Sequence, residues 1–173
     1  MSDTNRPRTK HRIGMGYDLH RLEPREGGGG RPLVLGGVKF ESDFGPVSHS
    51  DGDALLHAIT DAILGALGEP DIGEIFPNAS PKWRDADSAI FVREAVSRMR
   101  RAGFVIENLD ATVVLERPKL SPQKDAMRRT VAETLGVDAE RVNIKGKTHE
   151  GVGALGEGRA VEAHAVVLLT REG

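Results

Sequence analysis

Helical and extended segments alternate along nearly the whole chain, and this alternation restricts the fold more than any other feature of the sequence. Residues 54–67 carry Leu55, Ile59, Ala62, Ile63 and Ala66 at spacings of three and four, which predicts an amphipathic helix. Asp53 stands before it as an N-cap and Gly68 after it as a stop. A second helix is predicted over 88–101, with Ile90, Phe91, Val92, Ala95, Val96 and Met99 on its apolar side and Gly103 ending it. A third opens at Ser121-Pro122, with proline in its first turn, and stops at Gly136. Strands are expected from near Ile13, over 33–40 with Gly36-Gly37 as a bulge or bend, and within 104–116. Two more are expected over 143–147 and 159–170. The reading is an α/β (α+β sandwich-like) fold: a single domain over 12–173 with a mixed β-sheet and helices packed on one face. Residues 1–11 read as a disordered polar tail.

Composition narrows the chemistry. The chain has 173 residues and 38% apolar side chains, enough for a core without covalent staples. It has no cysteine, which excludes a disulfide framework, a thiol nucleophile and thiolate metal sites. A metal would have to be held by the six histidines and by carboxylates. Lys plus Arg is 24 and Asp plus Glu is 26, with no basic block, so no nucleic-acid partner is expected. No apolar run approaches the ~18 residues of a membrane span, and the polar opening lacks the apolar core of a secretion signal. A cytoplasmic location is the expectation.

Several constellations carry possible chemistry. In Asp18-Leu19-His20, a carboxylate and an imidazole two apart on a strand share a face, a half-site for a divalent ion. The plain alternative is a polar pair at a strand end. His49-Ser50-Asp51-Gly52-Asp53 leads to His57, which is four residues from both Asp53 and Asp61 and so can share a helix face with either. Read alone, His57 is an ordinary helix-surface histidine. Set beside Asp18 and His20, it completes two imidazoles and one carboxylate, with a fourth position open as in catalytic zinc.

Residues 69–88 contain three prolines and no sustained periodicity, a loop length that is usually functional. In it, Asp71-Ile72-Gly73 and Phe76-Pro77 read by themselves as turns. Arg117-Pro118-Lys119 sets a lysine before a helix, either to meet a phosphate or to stay solvated. Lys145 through Gly151 puts Lys147, Thr148 and Glu150 at a strand end before a glycine-rich loop, a set suited to phosphate and Mg²⁺ but not a Walker loop. The glycine run 27–30 reads as a plain linker.

In order, IGMGYDLHRL, LGGVKF, HSDGDALLHAITDAILGALGEPDIGEIFP, ERPKL and KTHEGVGALGEGRAVEAHAVVLL resemble the 2-C-methyl-D-erythritol 2,4-cyclodiphosphate synthases over residues 12–171. The resemblance implies a homotrimer with active sites between adjacent subunits. It implies conversion of 4-diphosphocytidyl-2-C-methyl-D-erythritol 2-phosphate into the 2,4-cyclodiphosphate and CMP, in non-mevalonate isoprenoid precursor biosynthesis. The substrate's own 2-phosphate is the nucleophile. By the same resemblance, Asp18, His20 and His57 hold Zn²⁺, and Glu150 helps hold Mg²⁺ or Mn²⁺ on the diphosphate. His49 and Thr148 stabilise the transition state. Substrate contacts fall to Asp18, His20, His49, Ser50, Asp71, Ile72, Gly73, Phe76, Lys119, Lys147, Thr148 and Glu150. The chain departs from the family pattern at Asn78-Ala79-Ser80, where many members carry an aspartate, and over 151–159. Two other readings stay open: a metal-dependent phosphohydrolase, and a non-catalytic trimer that binds cytidine diphosphate compounds. Linear products or a silent site would distinguish them.

Overall fold

The computed structural model describes residues 10–77 and 79–172. The polar tail predicted over 1–11 falls largely outside these residues. Its last member does not: His11 pairs with Thr170, so the first strand begins two residues before Ile13. Five strands form one sheet. They are β1 (His11–Pro24), β4 (Phe44–Pro46), β5 (Phe104–Val114), β6 (Val142–Lys147) and β7 (Ala160–Arg171), in the order β4-β1-β7-β5-β6. Among the described residues only the β5–β6 pairing is parallel, so the sheet is mixed, as the alternation predicted.

The helices α1 (Ala54–Leu67), α3 (Ala89–Arg101) and α4 (Lys124–Leu135) lie on one face of this sheet. The reason is alternation along the long strands. In β7, Val161, Ala163, Ala165, Val167 and Leu169 are buried under the helices, while Glu162, His164 and Val166 face the other way. In β1 the even-numbered residues face α1, and Ile13, Met15, Tyr17 and Leu19 are exposed on the open face.

The segment 33–40 is not one strand. It is a hairpin of β2 (Leu33–Leu35) and β3 (Val38–Phe40), because Gly36 and Gly37 both take positive φ, at 60° and 75°. Two such residues in succession make the tight turn whose twist matches a hairpin. The Asp53 carboxylate holds that turn, accepting from the Gly36 and Gly37 N–H groups at 2.9 and 2.7 Å, and it caps α1 by accepting from the Leu56 N–H at 3.0 Å. Asp53 is fully buried. Asp53→Ala strands buried N–H donors in two elements at once, and a loss of about 2–4 kcal/mol is expected in denaturant unfolding. Two further short helices lie in segments read as loops: α2 (Ile72–Ile75) and α5 (Gly153–Gly156), whose Leu155 is buried against Val114 and Ala160.

Candidate active site

Two glycines set the site. A Cβ on Gly14 would lie 1.9 Å from the Ala62 carbonyl oxygen, and one on Gly16 would lie 1.8 Å from that of Ala58. The backbone of α1 therefore rests directly on β1, along a seam of Ala58, Ala62 and Ala66. Continuing along the same face of β1, the next two residues are Asp18 and His20. The α1 side chain that reaches them is His57. Strand alternation and close helix contact thus bring three distant residues to one point.

The geometry at that point is tight. Asp18 Oδ2 lies 3.0 Å from His20 Nε2 and 3.0 Å from His57 Nδ1, and the two nitrogens are 3.2 Å apart. Two imidazole nitrogens and a carboxylate oxygen turned toward one another are the donor set for a borderline divalent ion. Ligands bonded at 2.0–2.1 Å in a tetrahedron stand about 3.3 Å from each other, so the observed edges fit a zinc-type ion with little adjustment. The helix-face pairs suggested by spacing do not form: Asp53 turns to the β2–β3 hairpin, and Asp61 accepts from the Ile72 N–H at 2.8 Å.

Electrostatics agree with the geometry. Burial alone would raise the Asp18 carboxyl, but hydrogen bonds from His20 and His57 and their charges hold it well below the usual carboxylate range. Burial alone would lower His57. The Asp18 hydrogen bond and charge outweigh it and raise the imidazole above its ordinary value. A metal must displace that proton, so binding gains from rising pH. Apparent zinc affinity is expected to fall as pH drops, starting above the free-imidazole midpoint of about 6.5. Metal titrations across that range with a competing chelator measure it, and a flat profile would contradict the assignment of His57 as a ligand.

The three residues line a cavity of about 290 Å³ together with Val47, Ser48, His49, Ser50, Ile72, Gly73, Phe76, Trp83 and Phe91. Phe76, Trp83 and Phe91 form its apolar wall, with ring centroids 4.6–5.8 Å apart. His49 Nε2 lies 3.4 Å from the Ser80 carbonyl oxygen. Asp71 caps α2 by accepting from the Glu74 N–H at 2.9 Å, which presents Ile72 and Gly73 to the cavity. Sequence reasoning did not single out Trp83 and Phe91, since aromatic residues in a helix and a loop read equally as core.

The remaining predicted residues lie elsewhere in the chain. Lys147 pairs with Val114, Val114 with Glu162 and Glu162 with Leu19, so Lys147 stands three strands from the Asp18–His20 stretch of β1. Three strand spacings are about 14 Å. Thr148 donates to Glu150 Oε1 at 2.7 Å, and Glu150 has a positive φ of 51°. Lys119 is exposed after the cis Arg117–Pro118 bond. Within one chain there are therefore two separate polar clusters at the same end of the sheet.

The family model described as YgbB matches residues 11–170. The chain is 53% identical over 166 residues to the chloroplastic 2-C-methyl-D-erythritol 2,4-cyclodiphosphate synthase of Oryza sativa, covering 96% of this chain and 72% of that protein. It is 51% identical over 160 residues to the enzyme of that name from Chromobacterium violaceum, covering 92% and 98%. Among solved structures, the CDP complex of IspF from Plasmodium falciparum superposes with a TM-score of 0.82 at 38% identity, over 95% of this chain and 98% of that one. Matched over nearly its full length, and carrying the fold of those relatives, the chain belongs to the YgbB family.

Proposed function

We propose that the chain is a metal-dependent phosphorus–oxygen lyase that converts 4-diphosphocytidyl-2-C-methyl-D-erythritol 2-phosphate into 2-C-methyl-D-erythritol 2,4-cyclodiphosphate and CMP. This is a step of non-mevalonate isoprenoid precursor synthesis. The observation that carries the reading is the convergence of Asp18, His20 and His57 in a cavity, within a chain 51% identical to a bacterial enzyme named for this reaction.

An oxygen of the substrate's 2-phosphate forms a bond to the β-phosphorus of the diphosphate, and the bond from that phosphorus to CMP breaks. No water enters and no protein nucleophile is needed. The protein's task is to position the groups and neutralise their charge. A Zn²⁺ held by Asp18, His20 and His57 supplies Lewis-acid polarisation of phosphate oxygens. Glu150 offers a hard carboxylate oxygen to Mg²⁺ or Mn²⁺ on the diphosphate. His49 and Thr148 donate to developing negative charge. Ser50 binds phosphate, while Asp71, Ile72, Gly73 and the Phe76 wall receive the methylerythritol portion. Lys119 and Lys147 neutralise the cytidine diphosphate, the ligand class that the Plasmodium relative carries.

The two polar clusters, three strands apart, support a homotrimer in which adjacent subunits each supply half a site. The open sheet face supports it too: Ile13 is 71% and Met15 65% exposed there, beside Tyr17, Leu19 and Val166. So large an apolar stripe marks a surface that is covered in the working protein.

Subunit exchange tests the shared site. Asp18→Ala and Thr148→Ala are each expected to be inactive alone, and mixing them at equal amounts restores about a quarter of wild-type CMP release, since a quarter of the interfaces pair two intact halves. A mixture that stays silent after proven exchange would place each site within one chain. Failure of the wild-type protein, supplied with zinc and magnesium, to release CMP would overturn the reading altogether.

A further inference from the structure

The far side of the His57 ring carries an arrangement that the ligand set does not explain. His57 Nε2 lies 2.8 Å from Ser88 Oγ. The Ser88 hydroxyl donates to Asp51 Oδ1, and the Ser88 backbone N–H donates to Asp51 Oδ2 at 3.0 Å. Ser88 stands at the head of α3 and is fully buried, yet its side chain makes no capping hydrogen bond to that helix. Asp51 belongs to the loop before α1 and also accepts from the Asp53 N–H at 3.1 Å. A carboxylate, a hydroxyl and an imidazole therefore stand in line behind the cluster of Asp18, His20 and His57.

Proton counting gives this line a direction. A serine hydroxyl has one proton. The Ser88 hydroxyl uses that proton in its hydrogen bond to Asp51, whose carboxylate oxygen accepts it. The Ser88 oxygen can then meet His57 Nε2 only as an acceptor, so Nε2 bears the hydrogen. The other nitrogen, Nδ1, faces Asp18 Oδ2 and His20 Nε2; it donates to the Asp18 carboxylate, and with Nε2 holding its own hydrogen it is the nitrogen that a divalent ion takes when its proton leaves.

We infer that Ser88 and Asp51 are positioning residues, a relay that fixes His57 in the Nε2–H tautomer and holds its ring so that Nδ1 is presented to a divalent ion. The inference rests on the metal-binding reading of the site given above. Ser50 Oγ, at 3.2 Å, is a weaker second partner of Nε2, and its proton is not committed to a carboxylate, so it does not enforce the tautomer.

The test uses the full chain and zinc itself. In the zinc-free protein, imidazole nitrogen NMR is expected to show a hydrogen held on His57 Nε2, whether or not Nδ1 also carries one toward Asp18. Ser88→Ala is expected to give a mixture of tautomers and to weaken zinc binding 10- to 100-fold in competition with a chromophoric chelator. Ser88→Thr keeps the hydroxyl and is expected to stay within about threefold of wild type. Asp51→Ala releases the Ser88 proton toward Nε2 and is expected to favour the Nδ1–H form, with a similar loss. A merely structural role would lower the melting temperature of Ser88→Ala while leaving its zinc affinity and tautomer unchanged, and that result overturns the relay. Failure of the wild-type chain to take up zinc contradicts the metal reading itself, and the relay with it.

Discussion

Gly16→Ala is expected to destabilise the protein by about 3 kcal/mol or more, a fall of roughly 6–12 °C in melting temperature for a chain of this size. The new methyl carbon would sit 1.8 Å from the Ala58 carbonyl oxygen and 2.6 Å from the Ala62 nitrogen. Both are helix backbone, so no side chain can turn aside to make room, and α1 must lift from β1. His57 rides on α1, whereas Asp18 and His20 ride on β1, so the same displacement pulls apart the cluster of Asp18, His20 and His57. Zinc affinity is therefore expected to fall with stability, although residue 16 touches none of the three ligands. Gly65→Ala is the control. Its Cβ meets only the Met15 carbonyl oxygen, at 3.8 Å, in the interior of α1. It is expected to be neutral or to stabilise by up to about 1 kcal/mol, because alanine is the better helix former. Thermal melts of the two variants give opposite signs if helix–strand contact builds the site. Equal and small effects would refute that account.

The second large effect concerns the ligands themselves. Asp18→Ala and His57→Ala are each expected to lower kcat/KM for CMP release by about 10³-fold, some 4 kcal/mol of transition-state stabilisation. Zinc content is expected to drop below one ion per chain. The loss has a thermodynamic counterpart. Zinc at a hundred times its dissociation constant stabilises the wild-type fold by about 2.7 kcal/mol, and the variants forgo that gain. Asp18 matters doubly, because its carboxylate lies 3.0 Å from both imidazoles and its removal takes from both rings the partner they share. A variant that releases CMP at the wild-type rate after exhaustive chelation would show that the three residues serve packing alone.

How far the sequence reveals this protein depends on the range of the interaction concerned. The three principal helices and the long strands follow from local periodicity, and α1 occupies 54–67 as its apolar spacing predicts. The hairpin at 33–40 reads in sequence as one strand because a bulge and a two-residue turn both place paired glycines between apolar runs. The deciding fact, Asp53 binding both glycine N–H groups, is a contact across 16 and 17 residues. Strand β4 is three residues long and owes its state to pairing with β1, which leaves almost no local signal. Asp18 and His20 are readable as a pair because a strand repeats every two residues. Their meeting with His57 depends on Gly14 and Gly16, whose even spacing on the same strand is visible in the sequence but whose partner is not. Ser88 was unreadable, since a serine before a helix is taken for its cap until the donor and acceptor of its hydroxyl are known.

Phosphorus NMR of the product mixture tests the central claim most directly. The protein, loaded with zinc and magnesium, is given 4-diphosphocytidyl-2-C-methyl-D-erythritol 2-phosphate. The expected spectrum shows CMP and two mutually coupled phosphorus signals of a cyclic diphosphate in equal molar amounts, with no inorganic phosphate. Linear phosphate esters with CMP, or substrate left unchanged, would contradict the assignment of the site to intramolecular phosphoryl transfer.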